Sequence, residues 1–123
     1  MGLTVLLDTN IVLYHLADQL LRGLSPGNFA VSVITEIELL SFPNLKLQEE
    51  SNIRQFLTDV TVIPLSRSIV ERAISLRKTH RLKLPDAIIL ATAVVKGFEF
   101  LSNDRQFAQI PEIRVGSVPI KLT

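Results

Sequence analysis

No cysteine occurs in the 123 residues. That absence removes a disulfide framework, a thiolate zinc site and a cysteine nucleophile together, and it fits a reducing compartment. Glycine is scarce at five residues, none of them in a GxGxxG or Walker arrangement, so nucleotide binding of those kinds is excluded. Charge of one sign is missing too: thirteen basic residues meet twelve acidic ones, leaving +1. Attraction over the whole molecule cannot then concentrate the protein on nucleic acid, and any such binding needs a local patch. The most apolar stretch, Ala87 to Val95, is far too short to span a bilayer. The chain opens Met-Gly-Leu-Thr-Val-Leu-Leu, with neither a basic leader nor a signal-type cleavage site. A soluble, cytoplasmic protein with no membrane partner is expected.

Apolar residues make up 47%, enough for a substantial core, and the length predicts one domain over residues 1–123. Short apolar runs at Leu3 to Leu7, Phe29 to Val33, Val60 to Ile63, Phe98 to Leu101 and Ile113 to Val115 predict strands. Most do not alternate polar with apolar, as expected of strands covered on both faces. Helical periodicity fills the intervals at Asn10 to Leu21, Thr35 to Leu40, Glu49 to Leu57, Arg67 to Lys78 and Pro85 to Lys96. The last is apolar nearly all round and should be the most buried. Ser25-Pro26-Gly27-Asn28 and Ser41 to Asn44 read as connectors. This alternation predicts an α/β fold, three layers α/β/α around a twisted parallel sheet.

Such a sheet binds ligands beyond the carboxyl ends of its strands, where strand order reverses. Asp8 directly follows the first apolar run, and Asp104 comes shortly after the Phe98 to Ser102 run. Glu38 falls in the first turn of the helix predicted from Thr35, and Asp86 follows Pro85 at the start of the buried helix. Each acid has a structural reading. Asp8 and Asp104 can cap helices, Glu38 sits at capping-box spacing from Thr35, and Asp86 complements a helix dipole. Taken singly, those readings are favoured. Together, four acids at one sheet edge repel one another and lose solvation unless a cation sits among them. Carboxylates without His or Cys suit Mg²⁺ or Mn²⁺ rather than zinc or copper, and such sites serve phosphoryl chemistry.

The motifs resemble a known family. Leu6 to Leu16, LLDTNIVLYHL, looks like the opening motif of PIN-domain proteins, above all the VapC-type toxins of toxin–antitoxin pairs. Ser32 to Leu39, SVITEIEL, resembles their second motif, Leu84 to Ala93, LPDAIILATA, the third, and Phe100 to Phe107, FLSNDRQF, the fourth. The resemblance implies a PIN-like fold, Mg²⁺- or Mn²⁺-dependent cleavage of RNA, a cognate antitoxin and a homodimer. It implies Asp8 and Asp86 as principal metal ligands, with Glu38 and Asp104 completing the catalytic cluster. Thr9 and Asn103 stand where small polar residues commonly support those acids. Ser102 replaces a frequent Thr but keeps the hydroxyl, and Pro43 shortens the second helix.

Arg77, Lys78, His80, Arg81 and Lys83 form a basic cluster before the third motif. Arg77, Lys78, Arg81 and Lys83 are candidate RNA contacts; the competing reading is a solvated helix end whose cations complement the dipole. His15 and His80 lack partners at ligand spacing. Two other function classes compete with the nuclease: a PIN-like RNA- or protein-binding domain without catalysis, and a phosphohydrolase or receiver domain on a similar sheet. The first needs a disabled acid, and all four are present. The second needs an Asp where Asn10 stands, or one at the end of the Val60 to Ile63 run, where Pro64 follows.

Overall fold

The computed structural model describes residues 4–20, 23–24 and 27–121. Five strands, β1 (Thr4–Leu7), β2 (Asn28–Ser32), β3 (Thr61–Ile63), β4 (Glu99–Leu101) and β5 (Val115–Gly116), form one sheet in the order β3-β2-β1-β4-β5. Every pairing is parallel, with Leu6 opposite Ala30 on one side and Phe100 on the other. The chain builds outward from β1 to β3, then crosses back to place β4 against the free edge of β1. The order therefore reverses between β1 and β4, and that crevice is where such a sheet offers a binding site.

Successive side chains of a strand point to opposite faces, and both faces here are covered. Leu6, Ala30 and Phe100 enter one core with Ile69, Ala73 and Leu76 of α4 (Arg67–His80) and Ile89 and Leu90 of α5 (Leu84–Lys96). Leu7 and Val31 enter the other, against Ile11 and Val12 of α1 (Thr9–Leu16), Leu39 of α2 (Val33–Leu40) and Ile53 and Phe56 of α3 (Leu47–Asp59). The predicted three-layer architecture is present. Helix α5 has six buried residues, more than any other described helix, as its all-round apolar sequence predicts. It ends where Gly97 turns into the left-handed region (φ 70°), a conformation strained for an L side chain. The short α6 (Arg105–Ala108) is pinned by Phe107, whose ring meets Phe100 edge-on at 5.1 Å.

Several boundaries differ from expectation, each for a local reason. Ser32 accepts the amide of Ile34 at 3.0 Å and starts α2 two residues before Thr35, so Val33 belongs to the helix and not the strand. Helix α1 stops at Leu16, because Asp18 turns left-handed (φ 55°) and Leu20 bridges to Ile120. Helix α3 begins at Leu47, with Glu49 accepting the Lys46 amide. Asn28 opens β2 instead of closing a turn, and β5 lies at Val115–Gly116. Leu3, Leu21, Ser25 and Pro26, which the sequence reading also assigned, lie outside the described residues.

Candidate active site: an acidic cleft at the strand crossover

Asp8 stands at the carboxyl end of β1, its amide bonded to the Leu101 carbonyl at 3.0 Å, so the ladder between β1 and β4 runs into the site. The residue is 6% exposed. Oδ1 accepts from the Thr9 amide at 2.9 Å and Oδ2 from the Ser102 hydroxyl at 2.7 Å. Asp8 thus caps α1 and still belongs to the cleft; the structural and functional readings coexist. Ser102, itself buried at the end of β4, also accepts the Asp104 amide at 3.0 Å. One hydroxyl joins the two acids at the crossover.

Glu38 is not a capping residue. Because α2 starts at Val33, Glu38 lies in its second turn, and Thr35 is buried within the helix rather than at its cap. The Thr9 hydroxyl donates to Glu38 Oε1 at 2.7 Å and lies 2.8 Å from the Thr35 hydroxyl. A hydroxyl carries one proton, so Thr35 is the donor in that second bond. The chain Thr35 to Thr9 to Glu38 satisfies a buried hydroxyl and aims the carboxylate. Thr9 thus ties α1 to the Glu38 carboxylate of α2.

Asp86 occupies the first turn of α5, just after Pro85, and is half-buried. Asp104 caps α6, accepting the Gln106 amide at 3.0 Å. Gln106 also donates its side-chain nitrogen to Asp104 Oδ2 at 2.9 Å and to Asp86 Oδ2 at 3.2 Å. Asn103 departs from the expected support role. It binds both backbone groups of Val118, at 2.7 and 2.8 Å, and so holds the segment after β5.

All four acids line one cleft of about 320 Å³, with Thr9, Asn10, Leu13, Ser41 and Phe42. Burial pushes the Asp8 carboxyl above the ordinary carboxylate range; the Ser102 and Thr9 hydrogen bonds oppose this, and repulsion from Asp86 and Asp104 adds to it. Burial likewise raises Asp86, with Asp104 adding to the shift and Gln106 and Lys83 opposing it. Among the described residues, no three His, Asp or Glu side chains already stand as a metal-ligand set. The four acids share a cleft, and Asp8, Asp86 and Asp104 repel one another across it. Oxygen-only donors carrying excess negative charge fit a hard divalent cation, which would relieve that repulsion.

The basic cluster divides. Lys83 lies close enough to Asp86 to favour its ionised form. Arg77, Lys78 and Arg81 instead border a separate groove of about 680 Å³, lined by apolar residues such as Leu65, Ile74, Leu84 and Ile88. Arg77 donates to the Leu82 carbonyl at 3.2 Å, and Arg81 is the left-handed cap of α4. His80 pairs with Glu112 at 3.0 Å, and the His15 ring lies 5.7 Å from that of Phe56. Three residues matter here beyond what their sequence positions suggest: Gln106 bridges two acids, Thr35 is a buried hydroxyl donor rather than a cap, and Ser102 links Asp8 to the Asp104 amide. A polar residue two positions after a capping Asp, on the first turn facing it, was the available signal for Gln106.

The family model for the PIN domain matches residues 5–113. Among solved structures, a chain of a toxin–antitoxin complex from Klebsiella pneumoniae is similar at 36% identity, covering 89% of this chain and 94% of that one, with a TM-score of 0.73. A chain of VapBC2 from Rickettsia felis, bound to a DNA fragment from the promoter, matches at 20% identity, covering 94% and 98%, with a TM-score of 0.79. DNA-bound VapBC from Salmonella typhimurium matches at 21% identity, covering 94% and 98%, with a TM-score of 0.77. Among curated proteins no sequence match is found.

Proposed function

This chain belongs to the PIN domain family, and from that premise we propose that it is a divalent-metal-dependent endoribonuclease, the toxin half of a toxin–antitoxin pair. The observation that carries the reading is the convergence of Asp8, Glu38, Asp86 and Asp104 on one cleft at the β1–β4 crossover, with Asp8 and Asp86 held above their ordinary pKa. A cleft of four carboxylates repels a phosphodiester, so it can admit one only with a cation present. Asp8, Asp86 and Asp104, which meet at the crossover, would hold Mg²⁺ or Mn²⁺, and Glu38 would complete the donor set from the α2 wall. When bound, the cation supplies Lewis-acid polarisation of the phosphate and charge stabilisation at the leaving oxygen.

The remaining work falls to this chain's own side chains. Ser102 and the Thr9 amide fix Asp8 in one orientation, and Thr9 fixes Glu38, so the acids lose little freedom when substrate arrives. Lys83, near enough to Asp86 to favour its ionised form, would offer a cation to the phosphate. Arg77, Lys78 and Arg81 would meet RNA backbone beyond the scissile bond, adding affinity without touching the reaction. The relative from Klebsiella pneumoniae was solved as a toxin–antitoxin complex, which supports pairing with an antitoxin; a homodimer, a single catalytic domain over the whole chain and a cytoplasmic setting belong to the same proposal. No helix among the described residues is long and apolar enough to cross a membrane.

One observation favours a second reading, a PIN-like domain that binds RNA or protein without cutting: among the described residues, no three acids are preset as ligands. Cleavage of a fluorophore-quencher RNA by the purified chain separates the two. Activity with Mg²⁺ or Mn²⁺, abolished by chelator and reduced about 10²-fold or more by Asp86→Asn, supports the nuclease. Metal binding with no cleavage of any RNA supports the binding domain.

A further inference from the structure

Asp86, in the first turn of α5, and Asp104, the cap of α6, repel one another, yet one neutral side chain holds both. The two protons on Gln106 Nε2 go one to each carboxylate, at 3.2 and 2.9 Å, while the Gln106 backbone amide takes the other oxygen of Asp104 at 3.0 Å. The amide orientation is forced, since its oxygen turned inward would face two acceptors. Asp86 Oδ1 has no hydrogen bond among the described residues, and each bonded carboxylate oxygen keeps a second lone pair. A cation can therefore enter with the bridge intact. The neighbouring Phe107 is fully buried against Phe100, which fixes the short α6 as the platform for Gln106.

We propose that Gln106 is a positioning residue of this site: its carboxamide ties Asp86 to Asp104 and sets the spacing at which they receive a divalent cation. The inference rests on the metal-dependent reading above. Neutrality is essential to the role. A Lys here would fill the cleft with its own charge, and a Glu would add to the repulsion. Outer partners that orient ligands typically govern metal affinity by one to two orders of magnitude.

The test is Mn²⁺ binding to the full chain at neutral pH, followed by electron paramagnetic resonance, together with thermal melting without metal. Gln106→Met keeps the length of the side chain and removes the donor. Gln106 is exposed on its own helix, so the variant should fold normally. The expected result is a Kd for Mn²⁺ raised about tenfold, with metal-free melting unchanged or slightly lowered. Gln106→Asn, one methylene too short to span both acids, should resemble the Met variant. Wild-type affinity in either variant overturns the bridge while leaving the metal site standing. A wild-type chain that binds no Mn²⁺ overturns the metal reading itself, and the bridge with it.

Discussion

The acidic cleft and the α4–α5 groove are neighbours in sequence, with Arg81 and Asp86 only five residues apart, yet they share no lining residue. In the cleft, Asp8, Thr9, Glu38, Asp86 and Asp104 each have named hydrogen-bond partners that hold them in fixed orientations. In the groove, exposed Leu65, Ile74 and Leu84 form the walls, and the cations stand at the rim in water. Carboxylates forced together need an added charge to be comfortable. Cations at the edge of an apolar surface need nothing. The chemistry of the molecule is therefore expected on the first surface and association on the second.

The sharpest way to break that division is Glu38→Gln. Gln keeps an acceptor for Thr9 and removes the charge, so stability should hold or rise slightly while metal-dependent cleavage falls by about 10²-fold. Cleavage at the wild-type rate would make Glu38 a structural acceptor only.

A smaller effect, on stability, is expected from Ser102→Ala. It strips a hydrogen bond from buried Asp8 Oδ2 and the partner from the Asp104 amide, which should cost about 1–3 kcal/mol in urea unfolding. A loss near zero would mean that water replaces the hydroxyl and that the crossover is less dry than its burial indicates.

The smallest effect on chemistry belongs to the groove. Arg77→Ala with Arg81→Ala should weaken RNA binding and flatten its dependence on salt, leaving single-turnover cleavage at saturating RNA near normal. An unchanged salt slope would confine RNA to the cleft and Lys83. A collapse in the chemical step would dissolve the distinction between the two surfaces.

Much of this was legible in the sequence because strand ends mark themselves: Asp8 after Leu7, and Asp104 just past Leu101, sit where apolar runs stop. The parallel sheet followed from runs such as Leu6-Leu7 and Ala30-Val31, whose neighbouring residues feed opposite cores. Helix starts were harder. Thr35 and Glu38 have capping-box spacing, but Ser32 reaches the Ile34 amide first and shifts the helix by two residues. The family resemblance puts Asn103 beside the acids, whereas Val118, fifteen positions on, takes both of its polar groups. For Gln106 the sequence offers only the local half of the contact, two positions after Asp104; the other half lies in Asp86, twenty positions away. The basic cluster looked continuous with the third motif until the left-handed turn at Arg81 sent its cations elsewhere.

The central claim is that three of the cleft acids are held together at a cost that a divalent cation removes. The pH dependence has a definite sign. Asp8 and Asp86 have folded pKa values raised above the ordinary carboxylate value, so ionising them opposes folding. Their contribution to stability is complete below the unfolded carboxylate pKa and is lost as pH rises through the folded values. Metal-free protein should therefore gain stability from these groups on mild acidification. Cation should restore stability at neutral pH, by about 2.7 kcal/mol at a hundredfold excess over its Kd. The direct measurement is thermal melting at neutral and mildly acidic pH, with and without millimolar Mg²⁺ or Mn²⁺, in wild type and in Asp8→Asn with Asp86→Asn. The account predicts a metal-dependent rise in wild type that shrinks toward acid pH, and a double variant that melts higher without metal and gains nothing from it. Equal metal-dependent shifts in the two proteins would contradict it.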